Sequence, residues 1–144
     1  MRVEVKQVGS YNEEQAVISA VTITEEIQSA IDILDSNCRV IPVISESETV
    51  MCRTDKIYYI ESVDKHSYVY TKDHCYETKY RLYELEEVLN SNFFRCSKAM
   101  IINIRKIKAV KAELNGRMSA ELLNGEQTII SRGYVKDLKR KLGL

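Results

Sequence analysis

The chain has 144 residues, of which 44% are hydrophobic and 29% are charged, with five glycines and one proline. This composition is typical of one globular domain, or of a domain with a small extension, and it excludes collagen-like and disordered proteins. A chain of this length buries roughly 68 to 70% of the surface that its unfolded form exposes, so it needs neither a metal nor disulfides to fold.

The formal charge is zero, because 21 Lys and Arg balance 21 Asp and Glu, but the two signs are unevenly distributed. Residues 1–55 carry four basic and ten acidic side chains, net −6, whereas residues 56–144 carry seventeen basic and eleven acidic, net +6. From Phe93 onward there are twelve basic and four acidic side chains, net +8. A C-terminal region of that charge can attract the phosphates of a polyanion.

The N-terminal part of the chain, which we place at residues 1–50, predicts a small ββαβ extension. Valines alternate with charged residues over 2–8, and 15–22 is rich in β-branched residues, so both stretches are predicted strands. Short strands are also predicted over 39–44 and 48–53. For the extension, a dimerisation role and a regulatory role both stay open.

Between the second and third of these strands the period of the apolar residues changes to that of a helix. Thr24 can cap this helix, and Glu25 and Glu26 suit its first turn. Its apolar stripe consists of Ile27, Ala30, Ile31 and Leu34. For this stripe we favour an internal core of the extension over a dimer interface.

Residues 51–144 predict a second domain that is mostly β. Its first strands are predicted over 57–63, 68–71, 75–79, 93–97 and 100–102. One amphipathic helix lies between the third and the fourth of them. The apolar face of that helix holds Leu82, Leu85, Val88 and Leu89.

Two Asn-Gly pairs predict a three-stranded meander after these elements. Asn115-Gly116 and Asn124-Gly125 separate strands predicted over 107–114, 117–123 and 126–131. Asn-Gly supplies the two positive φ angles that a two-residue hairpin needs. A last helix is predicted over 134–142, ending at Gly143. The fold class we expect is therefore mainly β with short helices, an α+β arrangement.

The sequence contains no motif that is typical of an enzyme or of a cofactor-binding site. The five glycines form no phosphate-binding loop, and His66 and His74 lack the spacing of a helical zinc motif. We interpret the four cysteines as reduced, mostly buried thiols: Cys38, Cys52, Cys75 and Cys96. We therefore expect no enzyme, no metal and no cofactor; a small hydrolase stays open only as a remote alternative.

The expected location is the cytoplasm. Residues 1–6 lack the apolar core of a signal peptide, and no apolar run approaches the length of a membrane span. We therefore expect no insertion into a membrane.

Three short segments place cations or hydrogen-bonding side chains in predicted loops. They are Asp64-Lys65-His66-Ser67, Arg95-Cys96-Ser97-Lys98 and Ser131-Arg132-Gly133-Tyr134. If these loops emerge along one edge, they could meet a DNA duplex, because Arg matches guanine by its two parallel donors and Lys attracts phosphate. For any one of these loops taken alone, we favour the interpretation of a solvated turn.

The order of several motifs over about residues 50–142 resembles a LytTR-type DNA-binding domain of bacterial transcription regulators. The most specific part is the Phe-x-Arg-x-Ser-Lys block that begins at Phe93 and is followed by Ile102-Asn103. A second part is the late run Ser131-Arg132-Gly133-Tyr134. The resemblance implies an antiparallel β fold in residues 51–144 whose loops enter successive major grooves, without a recognition helix.

The resemblance also implies which residues meet DNA. His66 or Ser67 matches the first contact loop, Lys98 the second and Arg132 the third. Many relatives have a histidine where Ser97 stands. With the neighbouring cations and polar side chains, the full predicted set is Lys65, His66, Ser67, Arg95, Ser97, Lys98, Arg132, Tyr134 and Lys136.

These observations predict a sequence-specific regulator of transcription that binds double-stranded DNA as a homodimer. Better-known relatives carry an N-terminal phospho-receiver domain, for which the first 50 residues are too short, so we expect a standalone regulator. The alternative is a protein-interaction module or anti-regulator that keeps the fold without binding DNA. An unidentified regulatory protein partner stays open in either case.

Overall fold

The computed structural model describes residues 1–10, 13, 15–35 and 39–144. The chain divides into two compact units, Met1–Asn37 and Cys38–Leu144. This division comes earlier than the boundary that we predicted after residue 50. The reason is that the strands between residues 40 and 53 pair with the sheet of the second unit.

The first unit contains helix α1 (Glu25–Asp35). The hydroxyl of Thr24 accepts a hydrogen bond from the amide of Ile27 at 3.4 Å, so the predicted helix and its cap are confirmed. Within the apolar stripe Ile27, Ala30 and Ile31 are half-buried, whereas Leu34 is 61% exposed.

The strands predicted over 2–8 and 15–22 are wrong, because both stretches are without regular secondary structure. Val5 and Val17 are 90% and 81% exposed. A β-branched sequence becomes a strand only when a neighbouring strand pairs with it and its side chains pack. Among the described residues of the predicted ββαβ extension, the helix is thus confirmed and the two strands before it are not, while the strands that follow it belong to the second unit.

Seven strands of the second unit form one antiparallel sheet. In chain order they are β1 (Val40–Ser45), β2 (Glu48–Arg53), β3 (Ile57–Val63), β4 (His66–Thr71), β5 (Cys75–Thr78), β6 (Phe93–Ser97) and β7 (Met100–Asn103). Their spatial order is β2-β1-β5-β4-β3-β7-β6. The four strands β4, β3, β7 and β6 thus lie side by side at one end of the sheet, and this arrangement positions the site described below.

A second, three-stranded sheet follows, with the strands β8 (Ile107–Ala112), β9 (Met118–Leu122) and β10 (Gln127–Ile130). Its order β10-β9-β8 confirms the predicted meander. Asn115 and Gly116 have the predicted positive φ, 62° and 75°, but the loop is the three-residue turn Leu114–Gly116 and not a two-residue hairpin. At the next turn only Gly125 has positive φ, at 89°, so the predicted pair is wrong there. The side chain of Asn124 instead accepts a hydrogen bond from the amide of Glu126 at 3.1 Å.

Two further helices cover the two parts of the core. Helix α2 (Leu82–Val88) packs its leucines against Ile41, Ile60 and other residues of the larger sheet. Helix α3 (Arg132–Leu142) buries Leu138 among residues of both sheets. Gly143 ends α3 in the left-handed conformation with φ of 76°, as predicted. The expected fold, mainly antiparallel β with short helices, is confirmed.

The cysteines of the described residues are free thiols. Cys52 and Cys96 are buried, whereas Cys75 is exposed; Cys38 lies outside the described residues. Desolvation raises the pKa of Cys96 to about 12, so its thiol is protonated and unreactive at neutral pH. Across the described residues no helix is long and apolar enough to cross a membrane.

Candidate nucleic-acid interface

The turn between β3 and β4 lies beside the turn between β6 and β7. The β3-β4 hairpin closes on Asp64 and Lys65, whose φ angles of 50° and 67° are those of a tight two-residue turn. The amide of Ser62, near the end of β3, donates a hydrogen bond to the carbonyl of Ala99 at 2.7 Å. Lys98 is therefore held next to the hairpin that carries Lys65.

The start of α3 joins the same edge. The amide of Ser131, which precedes α3, donates a hydrogen bond to the carbonyl of Cys96 at 2.9 Å. Arg132 thus begins the helix beside the end of β6. We call the edge formed by residues 64–67, 97–99 and 131–132 the contact rim. The three segments that the sequence singled out are brought together there.

Four cations or polar side chains of the rim are open to solvent: Lys65, His66, Lys98 and Arg132. Ser67 differs, because it is only 5% exposed. It lies in β4 and not in a loop, and alternate side chains of a strand point to opposite faces, so Ser67 shares the buried face with Val69. Of the first predicted segment, Lys65 and His66 are therefore the exposed members and Ser67 is not.

Arg95 and Ser97 shape the β6-β7 turn from within β6, the strand that we predicted over 93–97, so only Lys98 of the segment 95–98 lies in the turn itself. The guanidinium of Arg95 donates from Nε to the carbonyl of Ser97 at 2.8 Å and from Nη2 to the carbonyl of Lys98. Its Nη1 donates to the Glu86 carboxylate of α2 at 3.1 Å. The hydroxyl of Ser97 accepts from the amide of Ala99 at 3.2 Å. These bonds fix the turn that presents Lys98.

The two remaining predicted residues lie on α3 and differ in exposure. Tyr134 is half-buried, and its ring meets that of Phe94 edge to face at 6.5 Å between centroids. Tyr134 therefore anchors α3 to the sheet. Lys136 is exposed and lies one helical turn after Arg132 on the same face. It extends the row of cations from the rim along the helix.

A carboxylate also lies at the rim. Nδ1 of His66 is 2.8 Å from Oε1 of Glu77 on the neighbouring strand β5. Both side chains are about half exposed, so the pair adds little to stability. It does fix the imidazole, and it sets a negative charge beside the first contact segment.

The sequence did not point to one close contact of the rim. Gly116, in the turn between β8 and β9, has φ of 75°, and a Cβ atom there would lie 2.9 Å from Cδ and 3.0 Å from Cγ of Arg132. The backbone of this turn therefore touches the aliphatic part of the Arg132 side chain. The Asn-Gly signal predicted the turn, but nothing in it connected position 116 to Arg132.

The larger of the two main cavities lies away from the contact rim, at the opposite ends of the strands of the larger sheet. It has a volume of about 490 Å³ and is lined by β2, the β4-β5 turn and Lys106. Its thiol, Cys52, has a raised pKa because it is desolvated and lies near the Asp55 carboxylate, so it is not an activated nucleophile. None of the predicted DNA-binding residues lines this cavity. In the described residues no cluster of His, Cys, Asp and Glu could hold a metal.

Comparisons with known proteins agree on one family. The family model described as the LytTr DNA-binding domain matches residues 47–143. Two similar proteins are uncharacterised HTH-type transcriptional regulators of Staphylococcus aureus, from the strains bovine RF122 / ET3-1 and NCTC 8325 / PS 47. Each is 29% identical to this chain over 130 residues, and the alignment covers 88% of this chain and 88% of the relative. The solved LytTr DNA-binding domain of a Bacillus cereus methyl-accepting/DNA response regulator is 27% identical, with a TM-score of 0.70. That comparison covers 74% of this chain and 98% of the solved domain.

The relatives are named for a helix-turn-helix, which requires two helices in succession. Within the part of the chain that the structure describes, α1 is followed by β1, and α2 by β6, while α3 comes after β10. No two of these helices are consecutive elements. The contact rim, built from strand ends and one helix start, is thus a different surface from a helix-turn-helix.

Proposed function

Because the chain belongs to the LytTR family of DNA-binding domains, which is a family of transcription regulators and not of enzymes, we propose that it reads double-stranded DNA through the contact rim. In this proposal the segments of the rim enter successive major grooves. The observation that carries it is a pair of backbone hydrogen bonds that hold the three segments side by side: the amide of Ser62 donates to the carbonyl of Ala99, and the amide of Ser131 donates to the carbonyl of Cys96.

The width of the rim supports contacts in more than one groove. The strands β4, β3, β7 and β6 are neighbours, so their three spacings span roughly 14 Å. A major groove is about 12 Å wide. Arg132 extends the rim beyond β6, so the rim is wider than one major groove and its outermost segments can reach past the backbone that borders the groove.

We assign the roles by side-chain chemistry. Arg132 reads a base, because its guanidinium can donate two parallel hydrogen bonds to guanine, and the start of α3, which has no side-chain cap, favours a phosphate nearby. Lys98 contacts phosphate or a base edge, and Lys65 and His66 make the weaker contact of the first segment. Lys136 contacts the DNA backbone.

We further propose that two copies bind repeated half-sites in the cytoplasm. Small DNA-binding domains commonly gain affinity and specificity by pairing on two half-sites. The spacing of the half-sites would then reflect the geometry of the dimer.

A mobility-shift assay with a pool of random duplexes, titrated with salt, tests this function. We expect repeated selection to enrich one sequence. With about six phosphates neutralised, the slope of log K against log salt should be near −5. A protein-interaction module with this fold would select no sequence, and that result would overturn the proposal.

A further inference from the structure

The contact between Gly116 and Arg132 links the three-stranded sheet to the contact rim. The turn Leu114–Gly116 joins β8 to β9, and its glycine leaves no room for a side chain, since a Cβ would meet Cδ of Arg132 at 2.9 Å. Carbon atoms that are not bonded normally stay about 3.5 Å or more apart. The bare backbone at position 116 thus forms a surface against which the stem of Arg132 lies.

From this contact we infer that Gly116 is a positioning residue for Arg132, setting the direction from which the guanidinium approaches DNA; this inference rests on the proposed function. An exposed arginine has many rotamers, most of which point away from any one base. A wall beside Cγ and Cδ removes some of them before DNA is bound. A side chain held in its binding geometry loses less freedom on association, so the contact should favour the correct base.

The turn itself does not require this contact. Positive φ at position 116 explains why a glycine suits the hairpin, but Asn115 adopts φ of 62° in the same turn with a full side chain. Gly125 closes the other hairpin of this sheet with φ of 89°, and a Cβ there would meet no atom within 4 Å. Both glycines therefore adopt positive φ, but only at Gly116 would a Cβ atom collide with another side chain.

This difference gives a matched pair of variants, Gly116→Ala and Gly125→Ala. Both add one methyl group at positive φ in a hairpin of the same sheet, so both should lower the thermal unfolding temperature. Only Gly116→Ala should displace the Arg132 stem, because the flexible side chain can move more easily than the backbone. We expect its preference for the selected duplex over random duplex to fall about ten-fold, and that of Gly125→Ala less than about two-fold.

A double-mutant cycle separates positioning from a general structural effect. In an Arg132→Ala background, Gly116→Ala should change the sequence preference less than about two-fold, because the residue through which it acts is gone. The inference is overturned if Gly116→Ala keeps the wild-type preference, if Gly125→Ala loses as much, or if the loss persists in the Arg132→Ala background.

Two further comparisons cover a variant that does not fold and a wild-type protein that selects no sequence. If Gly116→Ala does not fold, Gly116→Asn and Gly125→Asn replace the pair, since Asn tolerates positive φ and still carries a Cβ. A wild-type protein that selects no sequence would contradict the proposed function itself. A wild-type protein that selects a sequence, with Gly116→Ala selecting it equally well, would contradict only the role of Gly116.

Discussion

Arg132 and Lys136 lie one turn apart on α3, yet we expect them to act differently on DNA. Arg132→Ala should weaken binding to the selected duplex by roughly 1 to 3 kcal/mol and relax sequence choice at one position, because a bidentate base contact is lost. Lys136→Ala should weaken all duplexes nearly alike and reduce the salt slope by about 1. Equilibrium binding to selected and random duplexes measures both. Equal losses on the two duplexes for Arg132→Ala would rule out its base-reading role.

Arg95 is cationic and near the rim, but its donors are engaged with the Ser97 and Lys98 carbonyls and the Glu86 carboxylate. Arg95→Lys keeps the charge and cannot form all three bonds, since an ammonium lacks the planar guanidinium. We expect a lower unfolding temperature together with weaker DNA binding. Thermal unfolding and binding should be measured on the same preparation. Weaker binding with an unchanged unfolding temperature would indicate instead that Arg95 contacts DNA directly.

At the scale of the element, two hairpin turns of the larger sheet each place two residues other than glycine at positive φ, and the second of each pair has the larger angle. Lys65 has φ of 67° and Ser47, between β1 and β2, has φ of 71°. Glycine adopts these angles without steric cost, although it is more flexible when unfolded. Lys65→Gly and Ser47→Gly should therefore each stabilise the fold by about 0.5 to 1 kcal/mol.

The same two variants should differ in their affinity for DNA. Lys65→Gly removes a cation from the contact rim, so we expect weaker binding in spite of the higher stability. Ser47→Gly lies on the far side of β5 from the β3-β4 hairpin, and its binding should not change. Denaturant unfolding and salt-titrated binding test the pair. Unchanged binding by Lys65→Gly would remove the first segment from the interface.

The elements that were predicted correctly are those that depend mainly on local sequence. The strand over 93–97 and the strand over 57–63 have the predicted bounds, and the meander followed from its turn residues. The strands predicted over 2–8 and 15–22 failed because pairing depends on a partner strand that local sequence does not specify. Helix α3 begins at Arg132 and not at Tyr134, because the bond from Ser131 to Cys96 fixes its start from outside the helix.

The candidate site also has some features that the local sequence predicts and others that depend on the folded chain. Charge and residue type identified the exposed cations Lys98 and Arg132 from sequence. The burial of Ser67 depends on strand register, and the partners of Arg95 depend on where α2 packs. The contact of Gly116 with Arg132 joins the β8-β9 turn to the start of α3, so only the folded chain brings the two together.

Over the whole molecule, charge separates with the two compact units. Residues 1–37 carry two basic and seven acidic side chains, net −5, and residues 38–144 carry the remaining nineteen basic and fourteen acidic, net +5. A net negative segment opposes association with DNA, and salt screens that effect. The neutral chain therefore combines a DNA-attracting unit with a DNA-repelling one.

We expect a chain shortened to residues 38–144, which keeps both sheets with α2 and α3, to bind random duplex more tightly than the full chain at low salt. The difference should shrink as salt rises, because screening weakens the repulsion. Binding isotherms at several salt concentrations give the comparison. Weaker binding by the shortened chain, or loss of its preference for the selected duplex, would instead assign residues 1–37 a part in DNA binding or in the dimer.

The most direct test of the central claim is a map of backbone amide chemical shifts during titration with the selected duplex. We expect the largest changes at residues 64–67, 97–99 and 131–136, and the smallest at residues 53–56 and 71–74, at the opposite ends of the strands of the larger sheet. Changes concentrated at those opposite ends or on α2, with the contact rim unaltered, would contradict the claim that the rim binds DNA.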